Sequence, residues 1–387
     1  MEECASPRDL VGKLIGPYKL LMYIGSGSYG HLFRAREMRT GRSFALKVFY
    51  SAEHTMRDWE REMEAYLITS TYPTCNAYIL CLYDYFKARQ PSGTIFGVSV
   101  FELMDGCVEN QVRIHSLEEY LSAAWQLLKA LSVLHDEHDI AHNDIHTGNI
   151  FYRQTQSFTL YKLGDLGVSC VHQLCLYMAH EHYVPPDAEK YTRKVVPKQI
   201  HKNLDVWCMG KVLVEFLVSY SLARAPIFHA QDPTPGHLRK LLDDSIVAIT
   251  PTIENASVLR GLRGLILAML NVDGSSRPTA TGALTRLENI IHGHGIDIKK
   301  TIRDAREVLL STEPCILPVI KIRRLERREI PDERKQLRRR LSDSLLDGMT
   351  PRSIALLNRH RRPPTVSHYN EQSSPRNKEP SRTSLPL

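Results

Sequence analysis

Residues 142–149 read HNDIHTGN, two histidines, one aspartate and two asparagines in eight positions. Such a set could gather a metal on imidazoles, take part in phosphoryl transfer through its carboxylate and amide oxygens, or simply make a polar loop. His135, His138, His142 and His146 recur three or four apart, the spacing at which one helical face could collect a zinc ion. Gly148 and the polar octet end the helix too early for that face to form. Gly164-Asp165-Leu166-Gly167 stands fifteen residues after Asn149.

A second group stands near the start, where Gly25-Ser26-Gly27-Ser28-Tyr29-Gly30 matches GxGxxG. A dinucleotide fingerprint of that form opens a helix, whereas here HLFRARE and then FALK follow, predicting strand, loop, strand and strand. Glycines let backbone amides approach phosphate oxygens without a side-chain clash, and Lys47 on the third strand would add a point charge. A lysine so placed needs an orienting carboxylate. Glu60, Glu62 and Glu64 in the following helical stretch could each supply it, and Glu62 fits the local pattern REMEAYL best.

The elements that must position these residues are legible in outline. YKLLMYIGSGSYGHLFRARE and GRSFALKVFY predict two or three strands with a turn at Thr40-Gly41. Residues 56–70 have helical spacing of Trp59, Met63, Tyr66 and Leu67, and residues 95–104 return to a strand. Beyond them helix dominates. SLEEYLSAAWQLLKALSVLHDEH opens with Ser116 and carries Glu119 three residues on, the pattern of a capping box. LDVWCMGKVLVEFLVSYSL and ASVLRGLRGLILAML read as core helices. A β-rich lobe followed by a helical lobe is the architecture expected, an α+β fold with no repeat of solenoid period.

Composition bounds the remaining choices. The 387 residues are 43% hydrophobic and 24% charged, ordinary for a globular protein with a sizeable core. No apolar run is long enough to span a membrane and MEECASPRDL does not read as a signal peptide, so an intracellular protein of the cytoplasm or nucleus, without membrane association and monomeric, is expected. The eight cysteines form no CxxC pair, so free buried thiols are expected. Residues 321–387 carry 17 Lys and Arg against 8 Asp and Glu, more than the whole +7 of the chain. That basic tail is expected to be largely disordered and could meet nucleic acid or a nuclear import receptor. Ser342 follows Arg338-Arg339-Arg340-Leu341 and resembles a site for basophilic kinases, as Thr350-Pro351 and Ser374-Pro375 resemble proline-directed ones.

Taken together with GSGSYG, FALK and the DLG that follows, HNDIHTGN resembles the HRDxxxxN catalytic loop of the protein kinase superfamily. YVPPD at 183–187, LDVWCMG at 204–210 and SSRPTA at 275–280 resemble further kinase motifs, in the required order. The resemblance implies a two-lobed kinase domain over 17–295, with lobes 17–104 and 105–295, flanked by an extension at 1–16 and the tail at 296–387. It implies ATP and Mg²⁺ as cofactors and proteins as substrates. Asp144 would accept or orient the substrate hydroxyl proton, Asn149 and Asp165 would hold Mg²⁺, and Lys47 would pair with the phosphates and with Glu62. Nucleotide would lie against Ile24, Gly25, Ser26, Gly27, Ser28, Tyr29, Gly30, Leu32 and Ala45, with Glu102 to Met104 as the hinge and Phe101 as the gatekeeper. Asp205 would brace the catalytic loop, and Asp187 would pair with Arg277.

The chain also departs from the pattern. Asn143 replaces the arginine that would read a phosphate on the segment after Asp165, so phosphorylation there is not expected to be required. His146 stands where serine/threonine kinases carry a lysine, and His180 where their threonine would meet it. His146 is therefore a candidate hydrogen-bond donor to the transferring group. The short loops and irregular octet resemble kinases encoded by large DNA viruses. DIHTGN also resembles the loop of aminoglycoside and choline kinases, and a nucleotide-binding pseudokinase scaffold is a third possibility.

Overall fold

The computed structural model describes residues 7–293 except 28, 70–74, 90–92, 94, 110, 157, 178–182, 192, 223–226, 228–233 and 251–255. Ser28, His180, Ser342 and the rest of the basic tail therefore lie outside the described residues. A sheet of order β1-β2-β3-β4-β6-β5 forms the first lobe, from β1 (Leu14–Ile15), β2 (Tyr18–Gly27), β3 (Gly30–Glu37), β4 (Ser43–Phe49), β5 (Leu82–Arg89) and β6 (Ile95–Glu102). All its pairings are antiparallel.

The two-residue period of a strand sorts β4 into two faces. Phe44, Leu46 and Val48 join Leu20, Phe33, Ala35, Val98 and Val100 in one apolar core. Ala45 and Lys47 take the other face, toward helix α1 (Glu53–Thr69). Trp59, Glu62, Met63 and Tyr66 form the buried stripe of α1, at the three- and four-residue steps of one helical face. Trp59 seats on the sheet because Gly97 leaves it room: a Cβ at Gly97 would meet the indole at 2.6 Å. Its Nε1 donates to Ser99 Oγ at 3.0 Å.

The second lobe is built on helices. After α2 (Cys75–Tyr78) and β7 (Gly106–Cys107), helix α3 spans Leu117–Ser132 and runs on into a π-helical turn, Val133–Glu137. Ser116 Oγ accepts from Glu119 N at 3.1 Å, while Glu119 Oε2 accepts from His115 N at 2.8 Å. The cap is thus reciprocal but reaches one residue further out than a strict capping box. The hairpin of β8 (Ile150–Gln154) and β9 (Thr159–Leu163) follows HNDIHTGN and delivers the chain to Asp165. Beyond β10 (Leu174–Leu176) and β11 (Val195–Pro197) come α4 (Lys198–Ser221), α5 (Pro235–Ile249), α6 (Ala256–Met269) and α7 (Ala280–His292). From Leu204 to Ser219 every residue of α4 is buried, which makes this helix the axis of the lobe. Among the described residues no helix is long and apolar enough to cross a membrane.

One sequence expectation is overturned. Cys170 and Cys175 are joined by a disulfide, although free thiols were expected. The chain doubles back between them and brings their Cα atoms to 5.7 Å, within bridging range, a proximity that C-x4-C spacing alone does not announce. Cys81, Cys107 and Cys208 are not disulfide-bonded.

Candidate active site

The cleft between the lobes collects the residues that the two sequence clusters single out. Lys47 Nζ lies 2.9 Å from Glu62 Oε2 and 3.4 Å from both carboxylate oxygens of Asp165. Helical phase selects Glu62 among the three candidates. Glu60 turns instead to Lys87 at 3.0 Å, and Glu64 to His172 at 3.7 Å. Glu62 is 1% exposed and Lys47 16%, while Asp165 keeps 34%, so only the aspartate presents its carboxylate broadly to the cleft.

This burial sets the electrostatics. Loss of solvent raises the Glu62 carboxyl to about 7, against the pull of Lys47. Its Oε1 has no hydrogen-bond partner among the described residues. Burial disfavours the Lys47 ammonium, but Asp165 and Glu62 outweigh it and hold the proton more firmly than usual. Burial and the same two acids keep the Tyr66 phenol protonated well above its ordinary range, and its oxygen accepts from Asp165 N at 3.0 Å.

HNDIHTGN is a loop held from below by one carboxylate. Asp205 of α4 accepts from His142 N at 2.6 Å, from Asn143 N at 2.8 Å, and meets His135 Nε2 at 2.9 Å. His142 accepts from Asp144 N at Nδ1, which leaves its Nε2 proton for Gly164 O at 3.0 Å. The histidines thus turn to separate partners, and among the described residues no group of three or more His, Cys, Asp or Glu could hold a metal. Asn149 Nδ2 donates to the Asp144 carbonyl at 3.0 Å and to its carboxylate at 2.9 Å. The Asn149 amide oxygen therefore points away from Asp144. Asn149 and Asp165 together are an oxygen donor pair of the kind that Mg²⁺ takes alongside phosphate and water. Asn143 and Asp165 both adopt left-handed backbone, φ 67° and 57°, a conformation non-glycine residues keep only when their surroundings impose it. Asp165 is steadied by Gly167 N donating to its Oδ1 at 3.3 Å.

His146 accepts from Gly148 N at Nδ1, 3.1 Å, so its neutral form carries the proton on Nε2, 3.6 Å from Asp144 Oδ2.

The glycine loop is a hairpin in which Gly27 of β2 and Gly30 of β3 face each other. A Cβ at Gly25 or Gly27 would meet nothing within 4 Å, but one at Gly30 would strike the Val48 carbonyl at 2.2 Å. Gly30 is thus demanded by β4, whereas Gly25 and Gly27 border open space. Ile24 and Leu32 lie on β2 and β3 of this hairpin, and Ala45 lies two residues before Lys47 on β4. Phe101 is buried with its ring 5.0 Å from Tyr66.

At the end of β6, Glu102 turns its carboxylate inward. Lys162 Nζ donates to it at 2.6 Å and Cys81 N at 2.8 Å. The Leu103 carbonyl accepts from Arg153 at 2.7 Å, and Met104 is buried. The sequence reading missed Lys162. The alternation of TLYKL would have placed its neighbours inside, but all five residues of β9 are buried, so periodicity carried no signal for it. His201 and the cysteine pair were missed as well.

The family model for the protein kinase domain matches residues 18–287. A homologue of dual specificity tyrosine-phosphorylation-regulated kinase 3 in Drosophila melanogaster is 25% identical over 208 residues, 53% of this chain and 24% of the relative. Extracellular signal-regulated kinase 2 of Dictyostelium discoideum is 27% identical, over 55% of this chain and 58% of its own length. MAP kinase-activated protein kinase 2 of Drosophila melanogaster is 24% identical, over 66% and 68%. The chain spans about a quarter to three fifths of the first two of these relatives. With a β-rich lobe over a helical lobe, the motifs in order and the family model across more than half its length, the chain belongs to the protein kinase domain family.

Proposed function

We propose that this protein transfers the γ-phosphoryl group of ATP to serine or threonine hydroxyls of protein substrates, through a domain over 17–295 flanked by extensions at 1–16 and 296–387. The observation that carries the reading is the Lys47–Glu62–Asp165 cluster, assembled from three distant stretches beside the Asp144–Asn149 pair. Lys47 holds the nucleotide's phosphates, and Glu62 keeps its ammonium aimed at them. Asp144, fixed by the Asn149 amide, accepts or orients the proton of the substrate hydroxyl. Asn149 and Asp165 would hold Mg²⁺, which when bound neutralises phosphate charge. Ile24 through Gly30, with Leu32 and Ala45, would cover the nucleotide, and Glu102 to Met104 would border its base. His146, with its proton on Nε2 beside Asp144, would position the transferring group.

The test is transfer of labelled γ-phosphate to histone and other basic proteins by wild type, Asp144→Asn and Lys47→Met, followed by phosphoamino-acid analysis. Loss of either aligned group is expected to lower the rate by about a hundredfold or more, with label on serine or threonine. Label on tyrosine would correct the hydroxyl class. No transfer despite a nucleotide-dependent rise in melting temperature would point to a scaffold.

A further inference from the structure

The segment that follows Asp165 is tied to the catalytic loop at two places, and a disulfide joins the two ties. Cys170 N donates to Ala141 O at 2.8 Å, and Ala141 N to Cys170 O at 3.1 Å, just before His142. Five residues on, Cys175 lies in β10 and pairs with Val196 of β11. Its carbonyl stands 3.2 Å from His201 Nε2, and Asn143 Oδ1 lies 2.8 Å from His201 Nδ1, two acceptors between which the single N–H of the neutral ring, the form burial favours, is shared by tautomer exchange. Asn143 Nδ2 donates to Val168 O at 3.0 Å, which fixes its oxygen as the atom facing His201. The Cys170–Cys175 bond closes this ring of contacts. None of these links is an ion pair, and position 143 carries an uncharged amide where an arginine would grip a phosphate on the segment.

We propose that Cys170 and Cys175 are a reversible redox modification site, in which the disulfide holds the segment after Asp165 on the catalytic loop and its reduction releases it. The inference rests on the kinase reading for its consequence on turnover, but not for its chemistry. Cys170 is fully buried, whereas Cys175 is partly exposed between the exposed residues His172, Gln173 and Leu176, so a small thiol reaches Cys175. Its thiolate attacks Cys175 Sγ, and the S–S electron pair leaves on Cys170 Sγ, which takes up a proton. A second thiol then resolves the mixed disulfide, so two reductant thiols become one disulfide while the protein gains two thiols. Oxidised glutathione runs the sequence backwards. Once the cross-link is open, the three-residue strands β10 and β11 are held only by the small cluster of Tyr177, Ala188, Val196 and Leu204 and a few backbone bonds, and the closed loop regains its conformational freedom.

The full chain is equilibrated with oxidised glutathione or with dithiothreitol, and its redox state is read by peptide mapping after alkylation. Amide hydrogen exchange is then followed over 168–177 and 195–197, alongside phosphoryl transfer. Reduction is expected to speed exchange there about tenfold or more while α4 keeps its protection, and to lower transfer several-fold. Cys175→Ser is expected to exchange fast, and to transfer at one rate, in both buffers. Absence of the 170–175 linkage after oxidation, or exchange identical in the two states, would overturn the proposal. Redox-dependent exchange without transfer in either buffer would uphold the site and count against the kinase reading instead. The melting temperature of Cys175→Ser separates loss of the tether from loss of the fold, and reduction of the wild type repeats the test without a substitution.

Discussion

Burial pushes the Glu62 carboxyl up to about 7 while Lys47 pulls the other way, so the charged pair completes itself as pH rises through neutrality. Below that pH a neutral Glu62 no longer fixes the Lys47 ammonium, which on the proposed function faces the nucleotide's phosphates. The value of kcat/KM for ATP, which reports groups of the free enzyme, is therefore expected to fall as pH drops through about 7. Glu62→Gln should remove that acid limb and lower the plateau by about tenfold, the scale of one hydrogen bond to a charged group. An acid limb that survives in Glu62→Gln would assign it elsewhere. At His146 the proton of the neutral ring faces Asp144. His146→Ala, which removes that donor, is expected to lower kcat several-fold with little change in KM for ATP, and an unchanged kcat would remove His146 from the mechanism.

At the scale of elements, the glycine loop divides into two functions. Gly30 lets β3 close on β4, since a Cβ there would overlap the Val48 carbonyl. Gly30→Ala is accordingly expected to destabilise the protein by about 1–3 kcal/mol, the usual cost of forcing atoms into a packed site, in denaturant unfolding. Gly27→Ala adds its methyl to open space and should change stability by less than about 0.5 kcal/mol while weakening nucleotide binding. Equal losses of stability in the two variants would contradict this division. Helix α1 makes the same point about phase. Glu62 shares the stripe of Trp59, Met63 and Tyr66, and a carboxylate inside an apolar stripe signals a partner waiting opposite.

Across the whole molecule, α4 acts as the frame to which the loops are fastened. Asp205 on its buried face takes three donors from the catalytic loop and its approach. Arg277, before α7, pairs with Asp187 of YVPPD and donates to the Asn203 carbonyl at 3.0 Å. The arginine side chain is wholly buried and Asp187 is 11% exposed, so removing one partner strands the other. Arg277→Ala is expected to cost about 3–5 kcal/mol, read as a lower denaturation midpoint. A loss under about 1 kcal/mol would mean that the pair is dispensable.

Local pattern determined much of this protein: the strand period around Lys47, the stripe of α1, the Ser116 cap, and the ordered motifs from GSGSYG to SSRPTA. Those signals are local because periodicity and capping act within a few residues. What only the tertiary structure decided are the meetings between distant residues. Lys162 buries its charge on Glu102, Gly30 answers to Val48, and His201 reaches Asn143 and Cys175. The disulfide spans only five residues, yet the doubling back that closes it comes with Cys170's bridge to Ala141 and Cys175's pairing with Val196. Such proximities arise when the chain is folded over a shared core, and no period in the sequence encodes them.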